Sequence, residues 1–131
     1  MSEAANPDLV RTSSLGAELY EEEAKVLAGI MGVHRLKDGE TLITEGGTET
    51  TLFILAEGGL AVISNNDGKE TVVYTMTKGE CAGTRAFVDR SPRKATLRAV
   101  GNATVYTLEP DAFETLLDKH PRIVYKVMRA L

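Results

Sequence analysis

Apolar residues recur at two different spacings along the chain, and the change of spacing divides it. Over residues 15–29, Leu15, Leu19, Val26 and Leu27 fall on a broadly shared helical face that Ile30 continues. Glu21, Glu22 and Glu23 stand nearer its start and Lys25 later, the order a helix dipole favours. The spacing predicts a helix that ends around Gly29 and Gly32. From Val33 the apolar positions shorten into runs at 33–36, 41–43, 51–56, 60–64, 70–76, 95–100 and 103–108. Lys37-Asp38-Gly39, Gly46-Gly47, Glu57-Gly58-Gly59, Asn65-Asn66-Asp67-Gly68, Lys78-Gly79 and Gly101-Asn102 separate these runs as turn signals. Asp67-Gly68 is the strongest hairpin signal among them. Short strands spaced in this way indicate a β-sandwich, roll or barrel.

Helical spacing returns at the end. Pro110 stands at a first turn, with Asp111, Phe113, Glu114, Leu116 and Leu117 completing a short helix. Pro121 opens a second, in which Ile123, Val124, Val127, Met128 and Leu131 form an apolar stripe. A stripe of this kind on a three-turn helix predicts an interface, and so a homodimer. Residues 1–14 show no sustained period and read as a flexible tail. The chain reads as mainly β: an antiparallel β-roll or jelly roll with one N-terminal helix, a short helical turn in the crossover and two C-terminal helices.

With 131 residues, the chain is one domain's worth of protein. Cys81 is the single cysteine, which excludes an internal disulfide or a multi-thiolate zinc site and suggests a reducing, cytoplasmic setting. The first ten residues are mostly polar and lack the basic and apolar regions of an export signal, and no apolar run approaches a membrane span. The formal charge of −4 is unevenly spread. Residues 1–82 hold 6 basic against 14 acidic side chains, whereas residues 83–98 hold Arg85, Arg90, Arg93, Lys94 and Arg98 against Asp89 alone. An acidic body repels nucleic acid and anionic membrane, while the basic window suits one small anion.

Catalytic chemistry finds little support. His34 and His120 are too few and too far apart for a metal-dependent β-roll enzyme, and Cys81 has no histidine near it in sequence. The sequence implies no catalytic residue, no metal site and no cofactor. The segment from Gly79 to Thr96 is different. A glycine before a helical turn leaves backbone N–H groups free to cradle a phosphate, and Pro92 restricts the backbone that presents Arg93, a fixed and always-charged fork. The candidate ligand-binding residues are Gly83, Thr84, Arg85, Ala86, Arg93, Lys94 and Ala95.

Over residues 15–131 the chain resembles the cyclic-nucleotide-binding domains. Gly39-Glu40, Leu42-Ile43, Glu45-Gly46, Leu52-Phe53-Ile54-Leu55 and Gly58 follow the family's order. Ala82-Gly83-Thr84, Ala86-Phe87-Val88 and Pro92-Arg93-Lys94-Ala95-Thr96 resemble its phosphate cassette. The resemblance implies a regulatory module for cyclic AMP, cyclic GMP or another phosphate-bearing ligand, with Arg93 on the phosphate. The departures lie at the ligand side. Thr84 stands where the family's glutamate typically holds the ribose 2′-hydroxyl, Glu49 replaces a glycine of the preceding turn, and Arg85 replaces an apolar residue. They leave open a second reading, a β-roll that has lost its ligand and serves as an interaction or structural module. The family's long terminal lid helix is also shortened here to residues 121–131.

Overall fold

The computed structural model describes residues 4–131. Two long antiparallel strands, β3 (Leu52–Asn66) and β6 (Thr96–Leu108), form the spine of the sheet and pair from Leu52 opposite Leu108 to Ile63 opposite Thr96. On the outer side of β6 lie β1 (Gly32–Leu36) and β2 (Thr41–Ile43). On the outer side of β3 lie β4 (Lys69–Met76) and the short β5 (Cys81–Ala82). All pairings are antiparallel, in the order β1-β6-β3-β4 with β2 on β6 and β5 on β3.

Four of the runs read as separate strands are therefore two continuous ones. The sequence placed turns at Glu57-Gly58-Gly59 and Gly101-Asn102, but the chain bends there without leaving the ladder. The β3–β6 register shifts on either side of Glu57. Gly58 holds φ +83°, and a Cβ on it would press on the backbone of Asn102 and come within 2.9 Å of the Ala103 Cα. A bulge of this sort coils the sheet into a roll. The Asp67-Gly68 signal, by contrast, is a tight hairpin turn with both residues at positive φ, as a type I′ turn requires.

The roll has apolar packing on both sides. Leu36, Ile43, Phe53, Leu55, Leu60, Leu97 and Val105 fill its interior. Leu52, Ile54, Ala56, Tyr106 and Leu108 point the other way, into a second cluster with the helices. Residues 52–56 are thus buried on both faces, which is why they read as an unbroken apolar run.

The helices are α1 (Pro7–Thr12), α2 (Glu21–Gly29), α3 (Thr84–Asp89), α4 (Pro110–Glu114), α5 (Leu116–Lys119) and α6 (Pro121–Ala130). Two corrections fall at the N-terminus. The expected tail lies partly outside the described residues, but from Pro7 it forms α1, capped by the Asn6 side chain accepting from the Asp8 N–H at 2.8 Å. Val10 and Ser13 are buried beneath it. The helix expected from Leu15 begins only at Glu21, because Gly16 sits so close to Val10 that residues 13–20 pass through turns. Leu15 and Leu19 nevertheless enter the helical core. At the other end, Ile123 and Val127 of the α6 stripe are buried in the same core, with Val124 and Leu131 packed against it. The stripe that suggested a homodimer is thus largely covered by the chain itself, leaving Met128 exposed, while Tyr125, outside the stripe, is exposed as well.

Candidate functional site

Arg93 precedes β6 and is held by its backbone before its side chain does anything. Its N–H donates to the Gly47 carbonyl at 2.9 Å, and its carbonyl accepts from the Gly46 N–H at 2.8 Å. Three residues on, the buried Thr96 hydroxyl accepts from the Glu45 N–H at 2.9 Å. The Glu45-Gly46-Gly47 turn and the Pro92–Thr96 segment therefore clamp each other. Gly46 takes φ +85° to make this turn, which a side chain would strain.

The guanidinium is then led inward, and Arg93 is only 4% exposed. Its Nη2 donates to the Thr51 carbonyl at 2.9 Å, and its central carbon lies 5.7 Å from the centre of the Phe53 ring, within cation–π range. Thr51 is itself fixed by a 2.7 Å hydrogen bond from its hydroxyl to Glu109. The remaining donors, Nε and Nη1, are buried without a partner in the protein. Gly83 makes the space for Nη1. A Cβ there would come within 2.6 Å of Arg93 Nη1 and 2.8 Å of the Thr51 carbonyl, and its φ of +86° also favours glycine. Burial pushes the Arg93 pKa down, while the charges of Glu49 and Glu109 partly offset this. No carboxylate pairs with it directly among the described residues. Arginine starts so high that the group stays charged.

A buried cation with orphaned donors is expensive, since each unmet donor costs about 1–3 kcal/mol and more when charged. An oxyanion accepting from Nη1 or from Nε would supply a charge-assisted bond and reduce that cost. The space for it is a cavity of about 290 Å³ between α3 and the open end of the roll.

All seven residues singled out from the sequence line this one cavity: Gly83, Thr84, Arg85, Ala86, Arg93, Lys94 and Ala95. They differ in depth. Arg93 and Ala86 are buried, Gly83, Thr84 and Ala95 are half-buried, and Lys94 is exposed at the rim. Arg85 is 68% exposed and leans on Asp89 at 3.8 Å, one turn away on α3. Sequence reasoning missed the far wall, where Ile43, Val62, Met76 and Leu97 supply apolar surface and Tyr74 and Glu80 supply a polar edge. The Tyr74 hydroxyl donates to Glu80 at 2.8 Å, and the Thr77 hydroxyl and N–H also donate to that carboxylate, at 2.8 and 3.0 Å. Tyr74 and Glu80 are six residues apart across a turn, a spacing that no helix or strand period reports.

The residues set aside as structural stay apart from this site, except Cys81, which lines the cavity. Its thiol is raised by burial, against a hydrogen bond from Ser14. His34 is exposed on β1 and His120 stands at the boundary before α6, its side chain making no cap hydrogen bond. No group of three His, Cys, Asp or Glu side chains able to hold a metal occurs among the described residues. The α6 helix does not reach the cavity. Val124 and Met128 line a separate groove with Val88, Phe113 and Leu117 on the other flank of α3. No helix among the described residues is long and apolar enough to cross a membrane.

Residues 33–120 match the family model of the cyclic nucleotide-binding domain. The chain belongs to this family. Its members are non-catalytic binding modules, in keeping with a site built around an arginine fork. The chain is 31% identical over 101 residues to a cAMP-dependent protein kinase regulatory subunit of Mycosarcoma maydis, covering 73% of this chain and 19% of that protein. It is 29% identical over 99 residues to a cGMP-dependent protein kinase of Plasmodium berghei, covering 76% of this chain and 11% of that protein. The chain thus spans about a fifth or less of the length of these curated relatives. Among solved structures, the N-terminal domain of a transcriptional regulator from Streptomyces coelicolor A3(2) superposes with a TM-score of 0.86 at 27% identity, covering 94% of this chain and 87% of that one. The regulatory domain of Toxoplasma gondii PKA, crystallised with cAMP, superposes at 0.75 with 28% identity, covering 83% and 42%. These likenesses support a regulatory nucleotide-binding module.

Proposed function

We propose that the chain binds a phosphate-bearing small molecule, with cyclic AMP or cyclic GMP first in line, and that Arg93 is the fork on which the phosphate rests. One observation carries this reading: a nearly fully buried guanidinium keeps two donors unmet, one of them, Nη1, beside Gly83. The cavity is close in size to the smaller ligand pockets of proteins, which start near 300 Å³. The test is calorimetric titration with cyclic AMP, cyclic GMP and cyclic dinucleotides. Arg93→Ala should lose about 2–5 kcal/mol of affinity, the range for removing one partner of a buried charged pair. Arg93→Lys should also bind less well, because a point charge does not reproduce the fork. Equal binding by wild type and Arg93→Ala would make the phosphate assignment wrong.

A second reading is favoured by Thr84, an uncharged side chain where the resemblance expects a carboxylate. In that reading the roll is a protein-interaction module that takes no nucleotide. Thr84→Glu separates the two: it should strengthen cyclic nucleotide binding if the site is a weakened one. Absence of binding by both wild type and Thr84→Glu favours the interaction module.

A further inference from the structure

We infer that Glu109 is a positioning residue: acting through Thr51, it fixes the direction in which the buried Arg93 presents its unmet donors. The inference deepens the phosphate-binding reading above and rests on it. The pairing of β3 with β6 begins at Leu52 opposite Leu108. Thr51 and Glu109 stand one residue beyond that rung, and there the side chains take over from the backbone. The Thr51 hydroxyl donates to Glu109 Oε1 at 2.7 Å. The backbone of Glu109 starts α4, its carbonyl accepting from the Phe113 N–H at 3.0 Å, but its side chain makes no cap hydrogen bond to that helix. The carboxylate serves Thr51, not the helix it precedes.

Thr51 needs such an anchor because its carbonyl is what holds Arg93. That carbonyl accepts from Nη2 at 2.9 Å, while Nε and Nη1 have no partner in the protein. The guanidinium is a rigid plane, so the position of the one acceptor on Nη2 sets where the other two nitrogens point. Thr51 also ends a stretch, residues 47–51, that has no regular secondary structure. The start of that stretch is held by the Arg93 backbone through Gly46 and Gly47. Its end is held by Glu109. The carboxylate acts through space as well: burial drives the Arg93 pKa down, and the charges of Glu49 and Glu109 oppose this. Glu109 does all this without lining the cavity.

The experiment follows hydrogen exchange of the Arg93 Nε–H by NMR without ligand, and cyclic AMP affinity by calorimetry, in Thr51→Val, Thr51→Ser, Glu109→Ala and the double variant Thr51→Val/Glu109→Ala. Thr51→Val and Glu109→Ala should each speed Arg93 exchange by about threefold or more, with the backbone amides of residues 52–56 unchanged. Cyclic AMP affinity should fall by about three- to tenfold in each, the range for one hydrogen bond. The double variant should fall no further than either single one, because both substitutions break the same relay. Thr51→Ser, which keeps the hydroxyl, should restore both readouts. Unchanged Arg93 exchange in Thr51→Val overturns the inference, as does acceleration of Arg93 and the strand amides together, which marks a structural role only. If the wild type does not bind cyclic AMP, that result counts against the phosphate reading, and the exchange rates decide the role of Glu109 alone.

Discussion

Two cations have been drawn out of solvent in this molecule, and they are treated in opposite ways. Lys126 on α6 reaches across to Glu23 on α2 at 2.6 Å, with both side chains about 15% exposed, and its ammonium lies 3.9 Å from the Tyr20 ring centre. Its charge is answered by a carboxylate and an aromatic face, and the pair fastens the last helix to α2. Arg93 is more deeply buried, yet it meets a carbonyl and a ring but no carboxylate. Breaking a satisfied pair harms the fold, whereas a cation left unanswered costs the fold something and reserves its donors for a visitor. On the proposed reading, the difference separates a structural charge from a binding one.

The widest separation should come from matched substitutions to methionine, which keep length and remove charge. Arg93→Met is expected to lower affinity for cyclic AMP by two orders of magnitude or more, while thermal stability without ligand stays level or rises. Lys126→Met should do the reverse: binding unchanged, and about 1–2 kcal/mol of stability lost in urea titration. A large loss of stability in unliganded Arg93→Met would erase the distinction.

Acid sharpens the same comparison. Burial alone would raise the Glu23 carboxyl, but the hydrogen bond from Lys126, the Tyr20 N–H and the charges of Lys126 and Arg122 together hold it below the ordinary carboxylate range. A carboxyl with a depressed folded pKa stabilises fully above its unfolded value of about 4.3, and that stabilisation fades as pH falls through the folded pKa. The gap in urea midpoint between wild type and Lys126→Met should therefore narrow from about pH 6 to about pH 3. A gap that does not change with pH would assign the loss to packing of the lysine stem instead.

A smaller effect is expected beside the cavity. Arg90 closes α3 at φ +61°, a left-handed conformation that costs a side chain energy and glycine little. Arg90→Gly should raise stability by about 0.5–1 kcal/mol in the same urea titration. The surface pair Arg98–Glu70, at 3.2 Å, should prove least consequential, with Glu70→Gln leaving the urea midpoint within error.

What the sequence revealed depended on whether a single local signal could carry the information. Asp67-Gly68 was legible because a two-residue turn demands those residue types. Arg93 was legible because proline, a basic window and a glycine ten residues earlier all pointed to one place. Gly58 and Gly101 misled, since a glycine at positive φ looks the same in sequence whether the strand ends or merely bends. The α1 helix was illegible because six residues carry too little period, and its stability comes from the Asn6 cap and from Val10 buried against distant residues. The apolar stripe of α6 was read correctly as a stripe, but what covers a stripe is a tertiary fact. The Tyr74–Glu80 contact depends on how a turn folds back, so the polar edge of the cavity emerged only with the structure.

The first five residues of β3 alternate between the two apolar clusters, Leu52, Ile54 and Ala56 on the helical side and Phe53 and Leu55 inside the roll. Such a strand is a party wall: neither room can be emptied while the other stands. Heating should therefore melt helices and roll in one cooperative transition, and the amides of residues 52–56 should be among the last to exchange with deuterated water. By the same construction, any displacement of Phe53 inside the roll would be felt at Leu52 and Ile54, its chain neighbours on the helical side. Roll interior and helical core are one peptide unit apart along this strand.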